Sequence, residues 1–360
     1  MGIKLLQLSA FLVSGIIISM VINVLLLRFS RSLGIRNNND VIIRWSNQSK
    51  PSLGGVSFYI VFLFSVIGFS IVFSEDDSIF KNTEFIGLLS AGTLAFLMGL
   101  ADDAYNTKPL GKLFIQILCG VIFVFTNTTI DLTHIYLIDA ILTVIWVIAL
   151  MNSLNMLDNM DGITGTTVTF ILISCLVSSF IIFDFNRNFW TIILISQIGA
   201  LLGFLKYNIN PSKLFMGDAG SQFIGLLVAF FSIKCLWNVG EDTQNPSWIG
   251  IFICLIALTP AAVDTITVSV NRMKKGKSPM VGGKDHTTHH LVYAGLSDRQ
   301  VWYVFTLISA FSTILSVFMI YLSKKGILIP LIFFFLFFVV VFVILYRFTL
   351  RYHATNEDKP

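Results

Sequence analysis

The chain of 360 residues is 55% hydrophobic and only 12% charged, carries 34 phenylalanines and has a net charge of +4. Its mean hydropathy of +0.82 lies outside the range of soluble domains and excludes them. What remains is an all-α, polytopic integral membrane protein, with no nucleic-acid partner expected.

Apolar runs long enough to cross a bilayer as helices number about eleven. In order they are Leu5 to Leu27, Leu53 to Phe73, Phe85 to Ala101, Leu113 to Thr126, Ile135 to Met151, Thr164 to Phe183, Trp190 to Leu205, Ala219 to Trp237, Trp248 to Val270, Val301 to Leu322 and Ile327 to Tyr346. The first is too long for the apolar part of a cleaved signal and is read as a retained helix. The organisation expected is one transmembrane helical domain over residues 1–350 and a polar tail over 351–360. Cys119, Cys175, Cys235 and Cys254 all fall inside apolar runs, as small hydrophobes do. Basic residues concentrate in alternate loops, for example Arg28, Arg31, Arg36, Arg44, Lys206, Lys213, Lys274 and Lys275, and in the tail (Lys359). The positive-inside rule then puts the N-terminus outside and the C-terminus in the cytoplasm.

On the other side lie Arg187 and the acids Glu75, Asp76, Asp77, Asp131, Glu241 and Asp242, and these acids read as solvated loop charge. The inner carboxylates are patterned. The first inner loop is basic and rich in Asn (Asn37, Asn38, Asn39) and ends in Lys50-Pro51-Ser-Leu-Gly54-Gly55, which suits a tight turn or a close approach to a ligand. The third run ends in Asp102-Asp103, followed by Lys108 and Lys112. Adjacent carboxylates leave a helix in different directions, so one can face a ligand while the other holds a Lys or Arg. The fifth run leads without a linker into Asn152-Ser-Leu-Asn155-Met-Leu-Asp158-Asn159-Met-Asp161-Gly162. If the helix continues past Met151, Asn155, Asp158 and Asp161 share one broad face, since three-residue steps each drift by about 60°. Carboxylates at a helix C-terminus oppose its dipole and call for a cation. Further on come Tyr207-Asn208 and Phe215-Met-Gly217-Asp218-Ala-Gly220-Ser221, in which Asp218 is either an N-cap or an unshielded metal ligand. The ninth run holds Pro260 and a lone acid, Asp264, expected either to serve function or to bond locally to Thr265 or Thr267. Lys284-Asp285-His286-Thr-Thr-His289-His290 closes the series, and phosphate binding suits these imidazoles better than zinc. Five carboxylates at membrane ends on one side, with lysines nearby, suit a metal-and-phosphate site; solvated loop charge explains the same composition.

Taken together and in order, these motifs resemble the polyprenyl-phosphate N-acetylhexosamine-1-phosphate transferase family, glycosyltransferase family 4, from Lys50 to about Gln300. The likeness is nearer to its undecaprenyl-phosphate N-acetylglucosamine-1-phosphate transferase branch than to the phospho-N-acetylmuramoyl-pentapeptide transferases. The Lys-Asp-His-x-x-His-His-Leu form departs from the Pro-flanked triple histidine of the latter, and Asn159 stands where the family often has Gly. The resemblance implies transfer of a sugar 1-phosphate, GlcNAc 1-phosphate first, from a UDP-sugar donor to undecaprenyl phosphate with release of UMP, initiating cell-envelope polysaccharide synthesis. It implies Mg2+, with Mn2+ as substitute, and a multi-pass protein of the bacterial inner membrane whose active site faces the cytoplasm. Oligomeric state is left open, a homodimer included. By the same likeness Asn155 and Asp218 are metal ligands, and Asp102 or Asp103 orients or deprotonates the lipid phosphate. Asp158 and Asp161 hold the nucleotide and the metal shell, Asn208 contacts uracil, and His289 and His290 bind the diphosphate. Lys50, Lys108, Lys112 and Asp264 complete the substrate-binding candidates. A transporter using Asp264, or a lipid-binding scaffold, are the readings from other classes.

Overall fold

The computed structural model describes residues 2–29, 50–73, 79–182, 189–242, 245–279, 282–327 and 329–353. Arg31, Arg36, Arg44, Asn37 to Asn39, Glu75, Asp76, Asp77, Arg187 and the tail from 354 on, Lys359 included, lie outside the described residues.

Among the described residues the regular structure is helical throughout. The helices are α1 (Gly2–Phe29), α2 (Val56–Val72), α3 (Thr83–Tyr105), α4 (Pro109–Phe125), α5 (Tyr136–Leu157), α6 (Ile163–Ile182) and α7 (Phe189–Asn208). They continue with α8 (Gly217–Ser232), α9 (Val239–Asp242), α10 (Ile249–Ala257), α11 (Thr259–Lys274), α12 (Thr287–Tyr293), α13 (Asp298–Lys324) and α14 (Ile329–Arg351). Each apolar run marked in the sequence is helical over most of its described residues. Among the described residues eight helices are long and apolar enough to cross a membrane, nine if the bent pair α10 and α11 is one span, and α2 and α4 are shorter apolar helices of 17 residues each. The run from Trp248 to Val270, expected as one span, is instead α10 and α11, bent by 86°. Pro260 explains the break: it has no N–H to continue a ladder and is tolerated in the first turn of a new helix. Thr259 Oγ1 caps the freed carbonyls of Leu255 and Ile256 at 3.0 and 2.8 Å.

Helix ends are set by local chemistry. Asn82 accepts from the Phe85 amide at 3.0 Å to start α3, and Asn106, at φ 51, ends it. Ser297 and Gln300 form a capping box at the start of α13.

Buried almost along its whole length, α8 is the hub, packed by α2, α3, α5 and α6. Small residues let neighbours approach its first turns. A Cβ on Gly55 would fall on the Cα of Gly220, and one on Gly225 would stand 2.7 Å from the Cα of Met151. At the edge α1 lies against α7 in an equally close crossing. Ser19 Oγ donates to the Ala200 carbonyl at 2.7 Å, and Asn23 Nδ2 donates to Ser19 Oγ and Ser57 Oγ at 3.2 and 3.3 Å. All four cysteines are buried and unbridged.

Candidate active site

The ends of α3, α5 and α11, the starts of α4 and α8, and the loops before α8 and α12 enclose a cavity of about 870 Å3. Most of the residues expected at a site line it: Lys50, Asp102, Asp103, Lys112, Asn155, Asp158, Asp161, Asn208, Asp218 and His289. Lys108, Asp264 and His290 do not.

Asp218 occupies the first turn of α8 because Gly217 turns the chain at φ +76, where a side chain would be strained and would collide with the Ser52 carbonyl. Asp103 fixes that turn. Its Oδ1 accepts the Asp218 amide at 3.0 Å and its Oδ2 the Ala219 amide at 2.9 Å, so it caps the positive end of α8. Asp102 faces the other way, as adjacent residues on a helix do. It is buried, its Oδ1 accepts the amide and hydroxyl of Thr107 at 2.7 Å each, and its Oδ2 pairs with Lys112. Lys112 also stands 3.7 Å from Asp218.

Asn155, in the last turn of α5, sends Nδ2 to Asp218 Oδ1 at 2.6 Å and to Ser221 Oγ at 2.9 Å. The expectation of one helical face through Asp161 is corrected here. Helix α5 ends at Leu157, Asp158 is its C-cap residue, and the chain turns through Gly162 at φ +76 before α6. Burial pushes the Asp158 carboxyl up to about 7, and the charges of Asp103 and Asp161 add to the rise. Asp161 accepts from Ser212 Oγ at 2.7 Å, from the Ser212 amide at 3.0 Å and from Asn210 Nδ2 at 3.3 Å, with Lys50 Nζ 4.0 Å away. It therefore clasps the turn before α8. Asn208 is a second clasp, its Oδ1 accepting the Gly162 amide at 3.0 Å and its Nδ2 donating to the Leu214 carbonyl at 2.9 Å. Both ends of that amide are spent on backbone, although the residue borders the cavity.

The remaining candidates are displaced from the cavity. Lys108 is exposed and is the N-cap residue of α4. Asp264 is fully buried in α11 and bonds across the loop, not to its neighbours Thr265 or Thr267. His286 Nδ1 lies 2.8 Å from its Oδ2, and Thr287 gives its amide and hydroxyl to Oδ1 at 2.8 and 2.6 Å. His290 turns from the cavity and meets the Tyr352 carbonyl at the end of α14, while burial lowers its pKa. His289 stays in the wall. Burial, then the charge of His286, lowers its pKa to about 3, so it is a neutral imidazole near pH 7. Its Nδ1 accepts the His286 amide at 3.4 Å, which leaves the proton on Nε2.

Cavity residues given no role from the sequence include Arg272, Gln116 and Asn152; His286, from the histidine run read as phosphate-binding, lines the cavity too. Burial works against the charge on Asp285, but the Arg272 guanidinium, bidentate at 2.8 and 2.6 Å, holds that carboxyl below its usual range. A signal for Gln116 existed as well: it is a polar residue inside the apolar run of α4, and it pairs with Asn152 at 2.8 Å and with Gln222 at 3.1 Å. Asn159 Oδ1 accepts from Thr288 Oγ1 at 2.6 Å and ties the acidic loop to α12.

Among the described residues no three His, Cys, Asp or Glu side chains converge as a ready-made metal cage. The donor chemistry still fits a hard divalent ion. Asn155 and Asp218 adjoin, Asp102, Asp103, Asp158 and Asp161 share the cavity, and the lysines bordering it are Lys50 and Lys112. Magnesium commonly takes one or two protein oxygens and completes its shell with water and phosphate.

Residues 85–236, from the first turn of α3 to the segment after α8, match the family described as glycosyl transferase family 4. The chain is 26% identical over 287 residues to the phospho-N-acetylmuramoyl-pentapeptide-transferase of Streptococcus agalactiae serotype Ia, covering 74% of this chain and 82% of that protein. It is 26% identical over 275 residues to the decaprenyl-phosphate N-acetylglucosaminephosphotransferase of Mycolicibacterium smegmatis, covering 70% and 68%. Identity is 24% over 296 residues to the probable undecaprenyl-phosphate N-acetylglucosaminyl 1-phosphate transferase of Bacillus subtilis, covering 79% and 78%.

Proposed function

We propose that this chain, whose residues 85–236 match glycosyl transferase family 4, is a membrane phosphotransferase moving N-acetylhexosamine 1-phosphate from a UDP-sugar to a polyprenyl phosphate. The observation that carries the proposal is one cavity at the helix ends where Asn155, Asp218, Asp102 and Asp158 meet Lys112 and the imidazoles of His286 and His289. GlcNAc 1-phosphate is the group we assign, because two of the relatives are named for N-acetylglucosamine phosphate transfer and the histidine run departs from the triple-histidine form. The setting is a bacterial inner membrane with the cavity on the cytoplasmic side, supported by the basic loops at that face.

In this reaction an oxygen of the lipid phosphate bonds to the sugar-bearing phosphorus of the donor, and the bridge to UMP breaks. The acceptor is a phosphate monoester with a second pKa of about 6 and is largely ionised near neutrality. Charge repulsion is then the main obstacle, and positioning with electrostatic compensation is what catalysis must supply. Lys112 stands between Asp102 and Asp218 and is placed to meet a phosphoryl oxygen. Asp102 Oδ2, paired with that ammonium, holds Lys112 in place. Asp103 holds Asp218 in register, and Asp161 and Asn208 hold the loop that leads into it. Asn155 and Asp218 would hold Mg2+, which supplies charge neutralisation at the diphosphate.

The test is UMP release by purified protein with undecaprenyl phosphate, comparing UDP-GlcNAc, UDP-GalNAc and UDP-MurNAc-pentapeptide with and without chelator. Chelator-sensitive release with UDP-GlcNAc is expected, and Asp218→Asn should abolish it in a folded protein. Release with UDP-MurNAc-pentapeptide alone would move the chain to the other branch. No release from folded protein with any donor would overturn the proposal.

A further inference from the structure

We propose that Gln116 is a positioning residue for the transfer, fixing the rotation of α4 so that Lys112 meets Asp218; the inference rests on the transferase reading above. Polar side chains inside apolar helices are costly in a membrane and mark function or partners. Three such amides lie one helical turn deeper than Lys112, Asn155 and Asp218. Gln116 follows Lys112 by four residues on α4, Gln222 follows Asp218 by four on α8, and Asn152 precedes Asn155 by three on α5. Those spacings put each pair on one face of its helix. Because α4 and α8 start at the cavity and α5 ends there, all three steps lead away from the helix ends. The amides therefore form a second tier beneath the charged one.

Gln116 Nε2 donates to Asn152 Oδ1 at 3.3 Å and to Gln222 Oε1 at 3.1 Å. Asn152 Nδ2 donates to Gln116 Oε1 and to the Ile148 carbonyl, each at 2.8 Å. An amide NH2 has two hydrogens to give, so both groups are fully spent on protein although Gln116 and Asn152 border the cavity. They hold helices, not substrate. The reciprocal pair locks α4 to α5, and the third bond ties α4 to the hub helix α8. Such a lock matters for α4 because it is an edge helix, with Leu110, Phe114, Ile117 and Phe125 exposed. Along its inner face Lys112, Gln116 and Gly120 recur every four residues, and a Cβ on Gly120 would stand 2.8 Å from the Cα of Val144. That close approach sets the distance between α4 and α5, whereas a two-bond amide pair also sets rotation. Lys112 carries its ammonium on a long stem, paired with Asp102 and 3.7 Å from Asp218, so a small turn of α4 would take it off that line.

The experiment compares the full chain in detergent with Gln116→Met, which keeps the length of the side chain and removes all three of its bonds. In UMP release kcat should fall about a hundredfold, the cost of displacing a reacting group by about 1 Å. KM for both substrates should stay near wild type, as when only the transition state loses an interaction. Lys112 is also followed without turnover, by competitive acetylation and mass spectrometry. Freed from its carboxylates it should label several-fold faster in Gln116→Met, with exposed Lys108 as the unchanged reference. Gln116→Asn should show the same losses, and adding Asn152→Gln should recover most of them, because the exchange rebuilds the pair from the other helix. The exchanged pair carries the test if Gln116→Met does not fold. Wild-type kcat and labelling in Gln116→Met, a raised KM at unchanged kcat, or no recovery in the exchanged pair would each overturn the proposal. A wild-type chain that releases no UMP while Lys112 labelling still responds to Gln116 counts against the transfer reaction alone.

Discussion

Asp103→Asn separates a structural carboxylate from a chemical one at nearly constant shape. The native side chain accepts two backbone amides, at 3.0 and 2.9 Å, at the N-terminus of α8. An asparagine keeps one acceptor and turns an NH2 group toward the other amide. One charge-assisted hydrogen bond is lost, worth about 1.5–3 kcal/mol. The attraction between the carboxylate and the helix dipole goes with it, about 0.3–1 kcal/mol. The sum is a destabilisation of about 2–4 kcal/mol, centred on the turn that aims Asp218. Misplacing a reacting group by about 1 Å costs roughly a hundredfold in rate, so UMP release should fall by that order together with the melting temperature in detergent. If the variant melts like wild type and turns over at the wild-type rate, the capping argument is wrong. A lost rate at full stability would instead return Asp103 to direct contact with a substrate.

Lys112→Met should cost nearly all UMP release, because Asp102 and Asp218 then face each other without the ammonium between them; Lys112→Arg with less activity than Met would contradict this. Gly55→Ala should lower the yield of monodisperse protein in size-exclusion chromatography, since its Cβ would fall on Gly220 and overpacking costs about 1–3 kcal/mol. Asp158, pushed up to about 7, keeps a proton in the folded chain that an unfolded carboxyl has released above its ordinary value near 3.9. Between those values the folded state binds more protons, so stability should fall as pH rises toward 7. Asp158→Asn should flatten melting temperature against pH over that window, and parallel curves for the two proteins would refute the assignment. Thr288→Val removes the hydroxyl that Asn159 accepts and should cost about 0.5–1.5 kcal/mol of stability; no change in the melting curve would show that the loop and α12 are not coupled there.

Apolar runs could be read directly as helices because each is long enough to leave no other way of satisfying its backbone in lipid. Breaks within them were harder. Pro260 marked a discontinuity, yet an 86° bend depends on what α10 and α11 pack against. The acidic motif after Met151 was visible as a site, but extending the helix through it overlooked Gly162, whose positive φ turns the chain. For Asp102 and Asp103 a division of labour followed from adjacency on a helix. Which of them held the lysine depended on α4 and α8, elements distant in the sequence. Asp264 stood out as an isolated acid, but its partner lies 22 residues on, beyond a loop. Local spacing pointed to Thr265 and Thr267 instead. Asn208 and His290 were drawn toward a substrate by motif, whereas the folded chain spends them on the Leu214 and Tyr352 carbonyls.

The crossing of α1 on α7 bears on how the chain is made. Ser19 must wait for the Ala200 carbonyl, 181 residues further along. At roughly 5–20 residues per second of synthesis this is a delay of about ten to forty seconds. During it α1 stands in the bilayer without its docking surface, with its Asn23 amide able to reach back one turn to Ser19. Of its partners, α2 is made early and supplies Ser57 to Asn23, but the larger surface waits for α7. Faults at this crossing should therefore surface first in pulse-chase labelling, as newly made chain cleared before it matures.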